Sequence, residues 1–114
     1  MLDCIFCKII NKEIPGDILY EDNDMMAFKD VNPQAPVHFL VVPKKHIENI
    51  MALSEGDYEL LEKIFKRINL LAKELGIADN GFRIVNNCNQ DGGQTVMHLH
   101  FHVLGGRFMQ WPPG

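Results

Sequence analysis

The chain has 114 residues, enough for one compact domain and too few for two ordinary ones. With 46% hydrophobic and 23% charged residues its composition is globular, which excludes disordered and collagen-like chains. Eleven basic against fifteen acidic residues leave a net charge of −4, which argues against binding nucleic acid through bulk positive charge.

No apolar run approaches the ~20 residues that would span a bilayer, and the opening MLDCIFCKII lacks a secretory pattern. A cytoplasmic protein with no membrane and no nucleic-acid partner is therefore expected. The three cysteines, Cys4, Cys7 and Cys88, are an odd number, better suited to thiols or metal ligands than to a disulfide framework.

Taken in chain order, Asp3 is placed to cap a short helix over residues 4–10, which Pro15-Gly16 should end. Two β-like runs at 17–21 and 24–29, joined by Asp22-Asn23, predict a hairpin. After a loop at 32–36, the apolar run 37–42 predicts a strand buried on both faces and stopped by Pro43. A long helix is predicted over 54–75, its apolar stripe at positions 61, 64, 65, 68, 71, 72 and 75. Ser54 and Asp57 form a capping-box pattern, Gly76 supplies the stop, and Glu59-Lys63 and Glu62-Lys66 are spaced as favourable pairs on a solvated face. A short strand at 81–86, a polar loop at 87–94 and a last strand at 95–104 complete an α+β fold. Its five-stranded, mainly antiparallel sheet is accompanied by one long and one short helix in a single domain spanning residues 1–114.

Residues 97–104 alternate strictly between apolar and polar, so in a strand His98, His100 and His102 share one face. Two chemistries fit. Alternate histidines on a strand can chelate zinc and activate a water. Alternatively, one neutral imidazole attacks phosphorus itself and forms a labile phosphoramidate. The adjoining Asn87, Gly92, Gly93, Gln94 and Thr95 favour the second, because amide and hydroxyl donors with close backbone approach suit phosphate oxygens.

His98-Leu99-His100-Phe101-His102-Val103-Leu104 resembles the signature of the histidine triad (HIT) superfamily. Cys4-Ile5-Phe6-Cys7-Lys8-Ile9, Pro43-Lys44-Lys45-His46-Ile47, Asp91-Gly92-Gly93-Gln94 and Trp111-Pro112-Pro113-Gly114 resemble its histidine triad nucleotide-binding (Hint-like) branch. The resemblance implies an α+β fold whose sheet continues across a homodimer. It further implies hydrolysis of purine nucleoside phosphoramidates to an amine and a nucleoside monophosphate. In those terms His100 is the nucleophile, and His102 and His38 are the supporting histidines. Asn87, Gln94 and Thr95 belong to the phosphate site, with Thr95 standing where the family usually has serine. Phe6, Phe28, Asp30 and Val31 match the nucleoside-binding positions, although the three apolar residues could equally be core and Asp30 a turn cap.

Cys4, Cys7, His46 and His98 resemble the ligand set of the zinc-binding subset, a closed tetrahedral Cys2His2 site for a structural ion. Cys-x-x-Cys by itself also suits a redox pair or two buried thiols. Cys88 is assigned to packing. The resemblance places Trp111 in the leaving-group pocket of the partner subunit; the other course for this apolar tail is to fold against its own domain. Other branches of the superfamily imply dinucleoside polyphosphate hydrolysis or nucleotidyl transfer, and a nucleotide-binding regulator is the non-enzymatic reading.

Overall fold

The computed structural model describes residues 3–114. The hairpin forms where Asp22 turns the chain: its Oδ1 accepts the amides of Asp24 and Met25 at 2.8 and 3.0 Å, joining β1 (Ile18–Glu21) to β2 (Met25–Lys29). β3 (Val37–Pro43) pairs with β2, so Pro43 is the last residue of the strand and not the residue beyond it. β4 (Phe82–Val85) and β5 (Phe101–Gly105) complete a five-stranded sheet in the order β1-β2-β3-β5-β4, with every pairing antiparallel.

Two helices cover the two faces. α2 (Tyr58–Glu74) buries Ile64, Ile68, Leu71 and Ala72 against Met25, Ala27, Phe39, Val41, Phe101 and Val103. Phe65, assigned to the same stripe, is 42% exposed while its ring rests edge-on against Phe101 at 5.5 Å. α1 (Ile5–Ile10) buries Phe6 and Ile9 against Met26, Phe28, Leu40 and Val42 on the opposite face. Burial of each of these α1 side chains is worth on the order of 1.5–3 kcal/mol, which fixes a helix too short to persist alone. β3 is thus buried on both sides, as its unbroken apolar run requires.

Several local expectations are corrected. Cys4, not Asp3, caps α1, its Sγ accepting the Cys7 amide at 3.4 Å. α1 stops at Ile10, well before Pro15-Gly16, because Asn11 caps its end and Lys12 turns left-handed at φ 63°. Lys63 reaches across to Asp24 at 3.1 Å and not to Glu59, whereas the Lys66–Glu62 pair forms at 3.2 Å. The last strand begins only at Phe101. Residues 95–100 follow an irregular path whose Leu99 amide bonds the Ile47 carbonyl, because the chain leaves β3 there to meet the segment bearing His46.

Candidate active site

Although regular pairing starts late, the alternation persists. Leu99, Phe101 and Val103 enter the core under α2, and the three histidines turn to the α1 side. Phe6 stands edge-on to His100 at 5.0 Å and to His98 at 5.9 Å, so α1 closes over the row. The His100 and His102 rings are 5.1 Å apart.

Hydrogen bonds to groups that can only donate or only accept fix the ring protons. His100 Nδ1 lies 2.7 Å from the His98 carbonyl oxygen, an acceptor, so Nδ1 carries the proton and Nε2 the lone pair. The Gln34 amide donates to His38 Nδ1 at 3.0 Å, which puts the His38 proton on Nε2. That Nε2 stands 2.9 Å from His102 Nδ1 and 3.4 Å from Asp30 Oδ2. His102 Nδ1 therefore accepts, and its own proton is on Nε2.

Burial lowers the pKa of His38, His100 and His102 alike. For His102, burial and then the neighbouring His100 and His38 take the value to about 4, against the opposing pull of Asp30. At neutral pH the row is uncharged: one imidazole with a free lone pair, the form a nucleophile needs, stands beside one with an N–H to donate.

A cavity of about 350 Å³, within the size range of small-molecule sites, opens in front of these rings. Phe6, Phe28, Asp30, Val31, Thr95, His100 and His102 all line it. Val31 projects from its rim, 99% exposed. Phe6, Phe28 and Val31 give the cavity apolar lining and Asp30, Thr95, His100 and His102 polar lining, which matches a ligand with a flat apolar part and a charged part.

Other sequence-identified residues lie outside the cavity wall. His38 stands behind His102. Asn87 is half-buried just beyond β4. The side chain of Gln94 is used by the loop itself: Nε2 donates to the Glu48 and Val96 carbonyls, and Oε1 accepts from the Asn89 amide. Gly92 permits that compact loop, since a Cβ there would sit 2.5 Å from the Cys88 carbonyl oxygen. Trp111 is 80% exposed, and the adjacent Gln110 carbonyl accepts from Arg83 on β4 at 2.9 Å. Asn86, which sequence reasoning passed over, donates to the His100 carbonyl at 2.9 Å and braces the backbone of that residue. Nothing in an Asn-Asn pair at a strand end distinguishes it from Asn87.

Beside the cavity, Cys4, Cys7, His46 and His98 converge so that one ligand atom from each lies within 4.8 Å of the others. The closest approaches are 3.3 Å for Cys4 Sγ to His98 Nδ1, 3.4 Å for Cys7 Sγ to His46 Nδ1 and 3.1 Å between the two Nδ1 atoms. Zinc bonds of about 2.0–2.3 Å in a tetrahedron place ligand atoms roughly 3.3–3.8 Å apart, so the four fit such an ion with small adjustment. His98 donates Nε2–H to the Pro43 carbonyl at 2.8 Å, leaving Nδ1 unprotonated toward the cluster, the arrangement usual for a metal-bound histidine. Burial and the Cys4 thiol push Cys7 up to about 11.

Comparisons with known proteins agree with this architecture. The family described as "Scavenger mRNA decapping enzyme C-term binding" matches residues 3–111. An uncharacterized HIT-like protein of Synechocystis sp. is 52% identical over 112 residues, 98% of this chain and 97% of that protein. The crystal structure of a HIT family hydrolase from Legionella pneumophila superposes with a TM-score of 0.96 at 49% identity, covering 98% of this chain and all of the other. A HIT family hydrolase from Clostridium thermocellum gives 0.94 at 48%, covering 96% of each. The chain belongs to the histidine triad family.

Proposed function

We propose that the protein is a purine nucleoside phosphoramidase. The observation that carries this reading is the proton arrangement of the row: a lone pair on His100 Nε2 beside an N–H on His102 Nε2, both on residues that line the cavity. His100 Nε2 attacks phosphorus in line with the amine, the phosphorus–nitrogen bond breaks, and the His102 Nε2 proton passes to the departing nitrogen. Water then attacks the nucleotidyl-histidine, giving a proton back to His102 and restoring His100. Asp30 accepts from the ribose hydroxyls, Phe6, Phe28 and Val31 flank the base, and Thr95 faces the phosphate oxygens. The names of two structural neighbours, HIT family hydrolases, support hydrolysis in general terms.

A structural zinc on Cys4, Cys7, His46 and His98 belongs to the same proposal. With all four positions filled by protein it supplies a cross-link between α1, the segment after β3 and the triad, and it leaves no position for a reactive water. A second copy of the chain across β4, with the sheet continued into it and Trp111 facing the partner's leaving-group pocket, completes the proposed enzyme.

The test is release of adenosine or guanosine monophosphate and free amine from the corresponding 5'-phosphoramidates. The match to a decapping-enzyme family favours one second reading, attack by the same histidine on a phosphoanhydride. Diadenosine polyphosphates hydrolysed faster than the phosphoramidates would establish that reading instead. Tight binding of adenosine monophosphate without turnover of either substrate would leave a nucleotide-binding regulator.

A further inference from the structure

The loop between Asp30 and His38 is closed by its own hydrogen bonds. The Asp30 amide donates to the His38 carbonyl at 3.0 Å, and Asp30 Oδ1 accepts the Asn32 amide at 2.8 Å. Gln34 Nε2 donates to the Asn32 carbonyl at 3.0 Å, and Pro33 and Pro36 restrict the backbone on either side. The product of this folding is the Gln34 amide aimed at His38 Nδ1. The Gln34 amide on one nitrogen and Asp30 Oδ2, 3.4 Å from the other, both favour this His38 tautomer, and the His38 tautomer fixes that of His102.

A side-chain hydrogen bond from beyond β5 holds the middle of this loop. Arg107 Nε donates to the Gln34 carbonyl at 3.0 Å, and its Nη1 donates to the Phe108 carbonyl at 3.0 Å. The chain reaches that position because Gly106, at φ 92°, leaves β5 directly against Pro36, where a Cβ would stand 2.9 Å from the proline Cβ. A planar guanidinium can serve two carbonyls from fixed directions, which a lysine ammonium cannot.

We propose that Arg107 is a positioning residue for the proton relay: it holds the 30–38 loop so that the Gln34 amide locks His38, and through it His102, in the tautomer that presents Nε2–H to the leaving group. The inference rests on the phosphoramidase reading for its catalytic consequence, though not for its structural content. Arg107 touches no reacting atom. Its effect should therefore depend on whether the leaving group needs a proton.

The test compares wild type with Arg107→Ala, a change at an exposed side chain that should leave the melting temperature within a few degrees. For adenosine 5'-phosphoramidates of alkyl amines, kcat/KM should fall about three- to tenfold, the factor that one hydrogen bond's preference between two tautomers supports. The p-nitrophenyl ester of adenosine monophosphate, whose leaving group departs as a stable anion, should change by less than about twofold, as should the Kd for adenosine monophosphate. Nitrogen-15 spectra should show His38 with protonated Nε2 and bare Nδ1 in the wild type, and signals moved toward the tautomer average in the variant. Equal losses on both substrates, undiminished amine turnover, or an unchanged His38 tautomer would each overturn the role. If the wild type turns over neither substrate the phosphoramidase reading falls, and the His38 spectra alone then decide whether Arg107 sets the tautomer.

Discussion

His98 and His100 are joined by a hydrogen bond that runs in one direction: the His100 Nδ1 proton sits on the His98 carbonyl at 2.7 Å, while the imidazole of His98 turns toward Cys4 and Cys7. The same residue thus contributes its side chain to the proposed metal cluster and its backbone to the proposed nucleophile. The alternating pattern left zinc held by all three histidines as a rival to nucleophilic attack; in the fold His98 Nδ1 turns to Cys4 and Cys7, while His100 and His102 line the cavity.

His100→Ala should lower phosphoramidate turnover by ~10³-fold or more, because it removes the lone pair proposed for attack, while adenosine monophosphate binding persists through Asp30, Phe6 and Phe28. Two in-line displacements each invert phosphorus, so a chiral substrate should give product of retained configuration. Inverted product would instead point to direct attack by water.

Stability should depend on pH through the buried row. His102 is held neutral down to about pH 4 in the folded protein, whereas the unfolded chain takes up that proton near 6.5. The unfolded state therefore binds more protons between those values, and stability, fully present above 6.5, should decline as pH falls toward 4. His38, also lowered by burial, acts in the same direction. Urea midpoints measured at pH 7.5 and 5 should show the loss, and His102→Gln should reduce the slope. A steeper slope in that variant would contradict the buried-neutral assignment.

Metal removal gives a third expectation. Purified protein should hold about one equivalent of zinc, and chelation should lower the melting temperature by freeing α1 from the triad segment. Burial keeps the Cys7 thiol protonated at neutral pH in the metal-free protein, so zinc uptake must release that proton and weaken as pH falls. Calorimetry in two buffers of different ionisation enthalpy would detect the release. Metal-free preparations whose melting is indifferent to chelator and to added zinc would remove the site.

Asp57 links the start of α2 to the segment bearing His46. Its Oδ1 accepts from Lys45 at 2.7 Å, and its Oδ2 accepts the Ser54 amide and hydroxyl at 2.9 Å each. Led by the Lys45 contact, these bonds lower its pKa from 3.8 to about 2. The stabilisation is present above pH 3.8 and lost as pH falls through 2. Asp57→Asn should therefore melt below wild type at pH 7, with the two converging near pH 2.

The long helix, the Asp22 hairpin and the doubly buried β3 were legible because each is written in local periodicity or turn chemistry. The late start of β5 was not, because residues 95–100 obey the strand alternation while the Leu99 amide is diverted to Ile47, a partner distant in sequence. Likewise the Cys4 cap replaces Asp3 through the thiol, a group whose capping role is invisible in residue preferences. His98, His100 and His102 were identifiable as a row, but their division of labour depends on which backbone carbonyl each ring nitrogen meets. The same limitation hid Asn86 and the Gln34–His38 contact, since backbone partners carry no side-chain signature.

The last expectation concerns the β4 edge of the sheet. β4 pairs with β5 on one side only, and its Ile84, 36% exposed, lies opposite Val103 on the face that α2 covers. Phe65, packed on Phe101, is an exposed aromatic of α2 beside that face. An unpaired strand flanked by apolar side chains is costly in water and invites a second strand, and a two-fold axis would let one copy cover the other. Arg83 on the same strand ties down Gln110, and the adjacent Trp111 is exposed and does not line the cavity. The protein should therefore sediment as a dimer at micromolar concentration, and Ile84→Glu should shift it to monomer by placing a charge in the apolar seam. Deleting residues 108–114 should leave the dimer intact yet change discrimination among leaving amines more than affinity for adenosine monophosphate. A wild-type monomer at that concentration, or an unchanged amine preference after truncation, would remove the second copy from the site.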